Sequence, residues 1–173
     1  MKIKDMAYIA LLAVVISICS WISIFLFVSV PFTMQTFGIF CALLLLGGKR
    51  GFLAIALYVL MGMVGLPVFS GFRSGVAALM GPTGGYILGF ILCGAFYWAL
   101  EKRGKPWWLL ALGNVICYLF GSLWFVFVYA ADGKAVSFGA ALLTCVVPYI
   151  IPDAVKLVLA LVVSKRLKPV LKL

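Results

Sequence analysis

Apolar residues run almost unbroken along this chain, and the polar positions that interrupt them fall into a few short clusters. Reading from one basic cluster to the next gives six apolar segments, at 6–29, 33–48, 51–67, 83–100, 107–130 and 143–164. A helix crosses the hydrocarbon layer with about 20 apolar residues, so each segment is predicted to be a spanning helix. The N-terminal Lys-Ile-Lys-Asp leads into an apolar stretch too long for a signal peptide and without a small-residue cleavage site, so that stretch is read as the first span. The predicted fold class is an all-α integral membrane protein with six transmembrane helices. Residues 1–173 are expected to form a single bundle domain, because no stretch is polar enough for a soluble domain or a long linker.

Composition agrees with that pattern. The chain is 66% hydrophobic and 10% charged, against roughly 25% charged residues in a soluble domain. Mean hydropathy is +1.27. The net charge of +10 invites a nucleic-acid reading, but the positions of the charges argue against it. Eleven of the 14 Lys and Arg residues sit at the N-terminus, at 49–50, at 102–105 and at the C-terminus. Basic residues are retained on the cytoplasmic side, so both termini are predicted to be cytoplasmic, and six spans satisfy that parity. Trp98, Trp107 and Trp108 flank the 101–106 loop, where interfacial aromatics anchor a helix end. The longer connections, at 29–36, 67–82 and 131–142, then lie outside, and a binding site is expected to open outward.

Several chemistries are missing. There is no histidine, and the five cysteines stand singly inside apolar runs with no ligand spacing. Metal sites and hydrolytic triads of the usual kinds are therefore not expected. The acids are few: Asp5, Glu101, Asp132 and Asp153. A proton relay usually needs several ionisable groups in series. "GGKRG" at 47–51 resembles a phosphate-binding loop, but Leu43 stands where that loop needs glycine and Arg50 where it needs Ser or Thr. No catalytic residue, cofactor or metal is expected, and the chain is not read as an enzyme.

Four constellations remain. "PYIIPDAVKLVLA" puts Asp153 and Lys156 at spacing i, i+3 on one face of the sixth span. Asp153 lies about 18 Å along the helix from Lys165, at about 1.5 Å per residue. Charges at such a depth cost roughly 3 kcal/mol or more each, so they face a cavity or one another. Two readings stand: a structural ion pair, or an acceptor and a donor offered to a small polar ligand. Pro148 and Pro152 precede the pair and predict a kinked or irregular outer half of that helix.

"MGPTGGYILGF" at 80–90 opens the fourth span. Pro82 suits the first turn. The free amides of the helix start, with Thr83, Gly84, Gly85 and Tyr86, are candidates for an anion-binding vestibule. The competing use is helix packing, since Gly85 and Gly89 form a GxxxG pair. In the fifth span Asn114, Tyr118, Gly121 and Trp124 make one stripe: an amide, two aromatics and a gap where something can fit, with plain helix contact as the competing use. "VPFTMQTF" at 30–37 adds Thr33 and Gln35 as neutral hydrogen-bonding groups.

Taken in order, "VPFTMQTF", "GLPVFSG" at 65–71, "GPTGGYILGF", the fifth-span stripe and "PDAVK" closely resemble the biotin-specific substrate-binding (S) components of energy-coupling-factor transporters, the BioY family. The resemblance runs over essentially the whole chain. It implies an S-component-like bundle in a bacterial or archaeal cell membrane, surrounded by lipid and capturing biotin from outside. A separate module, a transmembrane coupling protein with two ATPase subunits, would supply the energy. The family's biotin-associated acid and lysine carry over to Asp153 and Lys156. Tyr118 and Trp124 would pack on the ring system, Asn114 would add a polar contact, and the ligand carboxylate would sit toward Thr83, its neighbouring amides and Arg73. The reversed pose, with Lys156 on the carboxylate, stays open. The family often runs glycines after "PVF", where this chain has Ser70-Gly71-Phe72-Arg73-Ser74-Gly75. Docking on the coupling protein often uses small residues four apart on the first helix, where this chain has Ala7, Ala10 and Ala13 three apart. Two rivals remain: an S component for another vitamin, such as riboflavin or thiamine, and a structural membrane subunit whose ion pair only staples helices.

Overall fold

Backbone amides in an apolar solvent must find partners within the chain, and the apolar runs meet that demand as helices. A computed structural model of the chain describes residues 3–24 and 30–171. In chain order the elements are α1 (Ile3–Trp21), β1 (Ser23–Ile24), β2 (Phe32–Thr33), α2 (Gln35–Leu46), α3 (Gly48–Met63), a 3₁₀ turn (Ser70–Phe72), α4 (Gly75–Met80), α5 (Gly84–Leu100), α6 (Pro106–Ala131), α7 (Phe138–Cys145) and α8 (Val147–Leu171). Among them α1, α6 and α8 are long and apolar enough to cross a membrane; α2 and α5 are equally apolar but shorter, at 12 and 17 residues.

Several boundaries differ from the sequence reading, each for a local reason. The first helix stops at Trp21, where the chain turns into β1, which pairs antiparallel with β2 through Ser23 opposite Thr33 and Ile24 opposite Phe32. The predicted continuation of that span to residue 29 falls on 25–29, outside the described residues. The glycine-lysine run at 47–51 is a helix start and not a loop. Gly47 (φ 78°) makes the corner after α2, and the Gly48 N–H donates to the Glu101 carboxylate. A Cβ on Gly48 would lie 2.6 Å from the Trp98 Cα, so only glycine lets α3 start this close to α5. Arg50 pairs with Asp5 at 2.8 Å and ties the start of α1 to the same corner. The irregularity predicted near Pro148 and Pro152 sits at Val146 (φ −124°, ψ −52°), which separates α7 from α8. Pro148 then falls in the first turn of α8, where no amide is needed, and Pro152 lies inside the helix. Pro82 precedes the α5 cap residue Thr83 instead of entering its first turn.

Glycines set the packing of α5 on α6. A Cβ on Gly85 would lie 2.2 Å from the Trp124 Cβ, one on Gly89 2.8 Å from the Cys117 sulfur, and one on Gly121 2.3 Å from the Tyr86 ring. The contact is therefore a set of large side chains seated on the facing helix's glycines. α8 lies against α2, and α1 against α2 and α3. Tyr58, Phe40, Phe69, Ile16 and Leu110 are among the fully buried side chains at the centre. Along α1, Ala13 is buried, whereas Ala7 and Ala10 are exposed, so the three alanines do not share one outward face.

Candidate functional site

The buried stripe of α8 carries Tyr149, Asp153, Lys156, Ala160 and Ser164, at helical spacing. Two of these are charged, and both are almost wholly buried: the side chains of Lys156 and Asp153 are 5% and 6% exposed. They pair at 2.7 Å. A buried charge persists only when its hydrogen-bonding capacity is largely used, and here most of it is. Asp153 Oδ1 also accepts from the Thr36 hydroxyl at 2.9 Å, and Oδ2 accepts from the Tyr118 hydroxyl. Lys156 Nζ donates to the Thr33 carbonyl at 2.7 Å and stands 4.1 Å from the centre of the Phe32 ring. The start of α2, the middle of α6 and α8 thus converge on one carboxylate.

That convergence forms one wall of a cavity enclosing about 600 Å3 of atom-free space, part of it open to solvent. Eight of the residues singled out in the sequence line it: Thr33, Gln35, Thr83, Tyr86, Asn114, Tyr118, Asp153 and Lys156. Ile87, Phe90, Pro31 and Val30 supply apolar wall between these polar groups. The mix suits a ligand with an apolar body and a few fixed donors and acceptors.

Four expected residues are not on the lining. A Cβ on Gly84 would fall 1.7 Å from the Leu79 carbonyl oxygen, so Gly84 serves the tight approach of α4 to α5. Gly85 seats Trp124, whose indole Nε1 donates to the Gly81 carbonyl at 3.1 Å and whose ring stacks on Phe120. Arg73 Nε donates to the Ser70 carbonyl at 3.3 Å. The gap read at Gly121 is filled by the chain's own Tyr86, whose hydroxyl is 3.2 Å from that of Ser122.

Other lining residues were passed over in the sequence. Tyr149 stands one turn before Asp153, so helical spacing carried its signal, whereas Thr36 enters from the first turn of α2, just beyond the strand that ends at Thr33. Tyr149 donates its hydroxyl to the Val30 carbonyl and stacks on Phe32 at 6.4 Å, fixing the entrance strand against α8. Ser70, Cys117 and Cys145 also face the cavity, and no local pattern distinguished them.

Comparison with known proteins places this architecture. The sequence profile of the BioY family matches residues 1–173. A Thermotoga maritima protein named "Biotin transporter BioY" is 45% identical over 154 residues, covering 86% of this chain and 86% of the relative. A Pyrococcus horikoshii protein named "Probable biotin transporter BioY" is 38% identical over 169 residues, covering 97% of this chain and 98% of its own. Among solved structures, the S-component for biotin from an ECF-type ABC transporter superposes with a TM-score of 0.82 at 26% identity, over 96% of this chain and 92% of that one. By profile, sequence and fold alike, this chain belongs to the BioY family.

Proposed function

We propose that this chain is a biotin-binding S component, taking biotin from outside the cell for uptake driven by a separate energising module. The observation that carries the reading is the buried Asp153–Lys156 pair, with its donors from three helices, facing a cavity lined by polar and apolar groups in a chain whose relatives are named biotin transporters. Biotin combines a cyclic urea, with two N–H donors beside a carbonyl, and an aliphatic chain ending in carboxylate. Asp153 accepts from the urea N–H groups, Lys156 donates to the urea oxygen, and Asn114 and Tyr118 flank them. The apolar wall around Ile87 and Phe90 receives the aliphatic part, and Thr83 is the polar group proposed for the carboxylate end.

The same proposal takes residues 1–173 as one substrate-binding domain of six membrane-spanning helices, α1, α2, α3, α5, α6 and α8, with both termini cytoplasmic in a multi-pass cell-membrane protein. The concentration of Lys and Arg at 49–50, 102–105 and the C-terminus supports that orientation. A transmembrane coupling protein with two ATPase subunits is the proposed partner, since the chain's only phosphate-loop-like run is spent on the α3 start.

Displacement of bound biotin by a panel of vitamins tests the substrate. Unlabelled biotin is expected to compete fully, and riboflavin and thiamine not at all; displacement by another vitamin at lower concentration than biotin overturns the assignment. One observation favours a second reading. Asp153 accepts from Thr36, Tyr118 and Lys156, all groups of the chain itself, as a purely structural staple would.

A further inference from the structure

We propose that Trp124 is a positioning residue of this cavity, holding both ends of the turn that presents Thr83; the inference rests on the reading of Thr83 as the group at the biotin carboxylate. Trp124 lies in α6 and does not itself line the cavity, whereas Thr83 does. Thr83 is only 9% exposed. It stands at the cap of α5 without a side-chain cap bond, and among the described residues its hydroxyl has no hydrogen-bond partner. Burying a hydroxyl without a partner costs free energy, and a ligand oxygen in the cavity would supply one.

The backbone that carries Thr83 is a tight turn. The Gly84 N–H donates to the Gly81 carbonyl at 3.0 Å and closes residues 81–84. Pro82 stands second in that turn and Thr83 third, and the Thr83 angles (φ −89°, ψ −9°) are those of the third position of a type I turn. Two contacts fix the turn on α6, and one side chain makes both. Trp124 Nε1 donates to the Gly81 carbonyl at 3.1 Å. On the other side of Thr83, a Cβ on Gly85 would lie 2.2 Å from the Trp124 Cβ and 2.6 Å from its Cγ. The indole is itself held along α6, its ring centre 6.5 Å from that of Phe120 and 6.2 Å from that of Phe127.

The two contacts use different parts of the side chain. The seat on Gly85 is made by Cβ, Cγ and Cδ1, atoms that phenylalanine also has. The bond to Gly81 is made by the indole N–H alone. Without that donor the Gly81 carbonyl keeps the turn's own bond, and the turn is free to pivot about the Gly85 seat. The Thr83 hydroxyl then has no fixed place. A carboxylate, whose hydrogen bonds are roughly twice as strong as those of a neutral group, should lose more by this than a neutral group would. Asp153 and Lys156 lie on α8, away from the turn, so the urea end of the ligand should be untouched.

The test titrates the full-length chain in detergent with biotin and with biotin amide, in which a neutral amide replaces the carboxylate. The parent is expected to prefer biotin about tenfold, the difference between a charge-assisted and a neutral hydrogen bond. Trp124→Phe should weaken biotin about fivefold and the amide by less than about twofold, so that the preference falls to within about threefold. Thr83→Val should lose the preference in the same way, and the double variant should be no worse than Thr83→Val alone, since both act on one hydroxyl. Should Trp124→Phe fail to fold, benzothienylalanine in place of Trp124 keeps both rings, exchanges the N–H for sulfur and carries the same expectation. A parental preference in the folded Trp124 variant or in Thr83→Val overturns the inference, as does an equal loss for both ligands in the Trp124 variant. No preference in the parent overturns it too, together with the placing of the carboxylate at Thr83, while leaving biotin as the ligand. Failure of the parent to bind biotin at all removes the functional reading as well.

Discussion

Removing one charge at a time from the α8 pair should destabilise the ligand-free protein unequally, and the structure says which change costs more. In Asp153→Asn the Lys156 ammonium loses its counter-charge and keeps the Thr33 carbonyl, the face of Phe32 and at best a neutral amide oxygen. Stranding a buried charge in this way costs about 3–5 kcal/mol. In Lys156→Met the Asp153 carboxylate keeps two hydroxyl donors, from Thr36 and Tyr118. Hydrogen bonds to charged groups contribute about 1.5–3 kcal/mol each, so these hold the orphaned carboxylate and reduce the loss to about 1–3 kcal/mol. Removing both charges should bring stability back to within about 2 kcal/mol of the parent, leaving a coupling energy of at least about 2 kcal/mol. Melting curves of the four proteins in one detergent, without ligand, make the measurement. At about 2–4 °C per kcal/mol for a chain of this size, Asp153→Asn should lower Tm by about 10 °C and Lys156→Met by about half as much. A larger loss in Lys156→Met, or no recovery in the double variant, would refute the hydrogen-bond account of the pair.

Two further outcomes follow from the fold. Gly84→Ala places a methyl 1.7 Å from the Leu79 carbonyl oxygen, a backbone atom that cannot rotate aside; the protein should lose more than about 3 kcal/mol or fail to fold. Gly139→Ala meets nothing within 4 Å in α7 and should gain up to about 1 kcal/mol; melts of both variants that come out alike would count against the packing described. For orientation, a cysteine at exposed position Asp132 should react with an impermeant thiol reagent in intact cells, and one at exposed Lys102 should not, in a background free of native cysteines. The opposite labelling inverts the proposed topology.

What the sequence made legible divides along physical lines. Burying a charge is so costly that Asp153 and Lys156 stood out in an apolar run, and helical spacing placed them together; both turn out paired and facing the cavity. Tyr149 followed the same spacing and was readable in principle. The glycines were ambiguous because the same small residue serves ligand approach and helix packing. Gly84, Gly85 and Gly121 prove to be packing surfaces for Leu79, Trp124 and Tyr86, and which use applies depends on a facing helix distant in sequence. Short elements were the least visible. α4, with 6 residues, lies inside a stretch read as a connection, and α7, with 8, straddles the boundary read between the 131–142 connection and the sixth span, since so few turns show little periodicity. Long-range bonds such as Gly48 to Glu101, or Ser20 to Val68, join residues about 50 positions apart, and nothing local announces them.

The central claim, that the cavity beside Asp153 and Lys156 holds biotin, is tested most directly by titrating the purified chain with labelled biotin, alongside Asp153→Asn and Lys156→Met. Saturable one-site binding is expected in the parent. Asp153→Asn turns an acceptor into a donor facing the ligand's own N–H, and Lys156→Met deletes the donor to the urea oxygen. Each should weaken binding by at least about 2 kcal/mol, roughly 30-fold, and the double variant should not regain affinity even where it regains stability. No saturable binding in the parent, or near-parental affinity in both single variants, would contradict the claim.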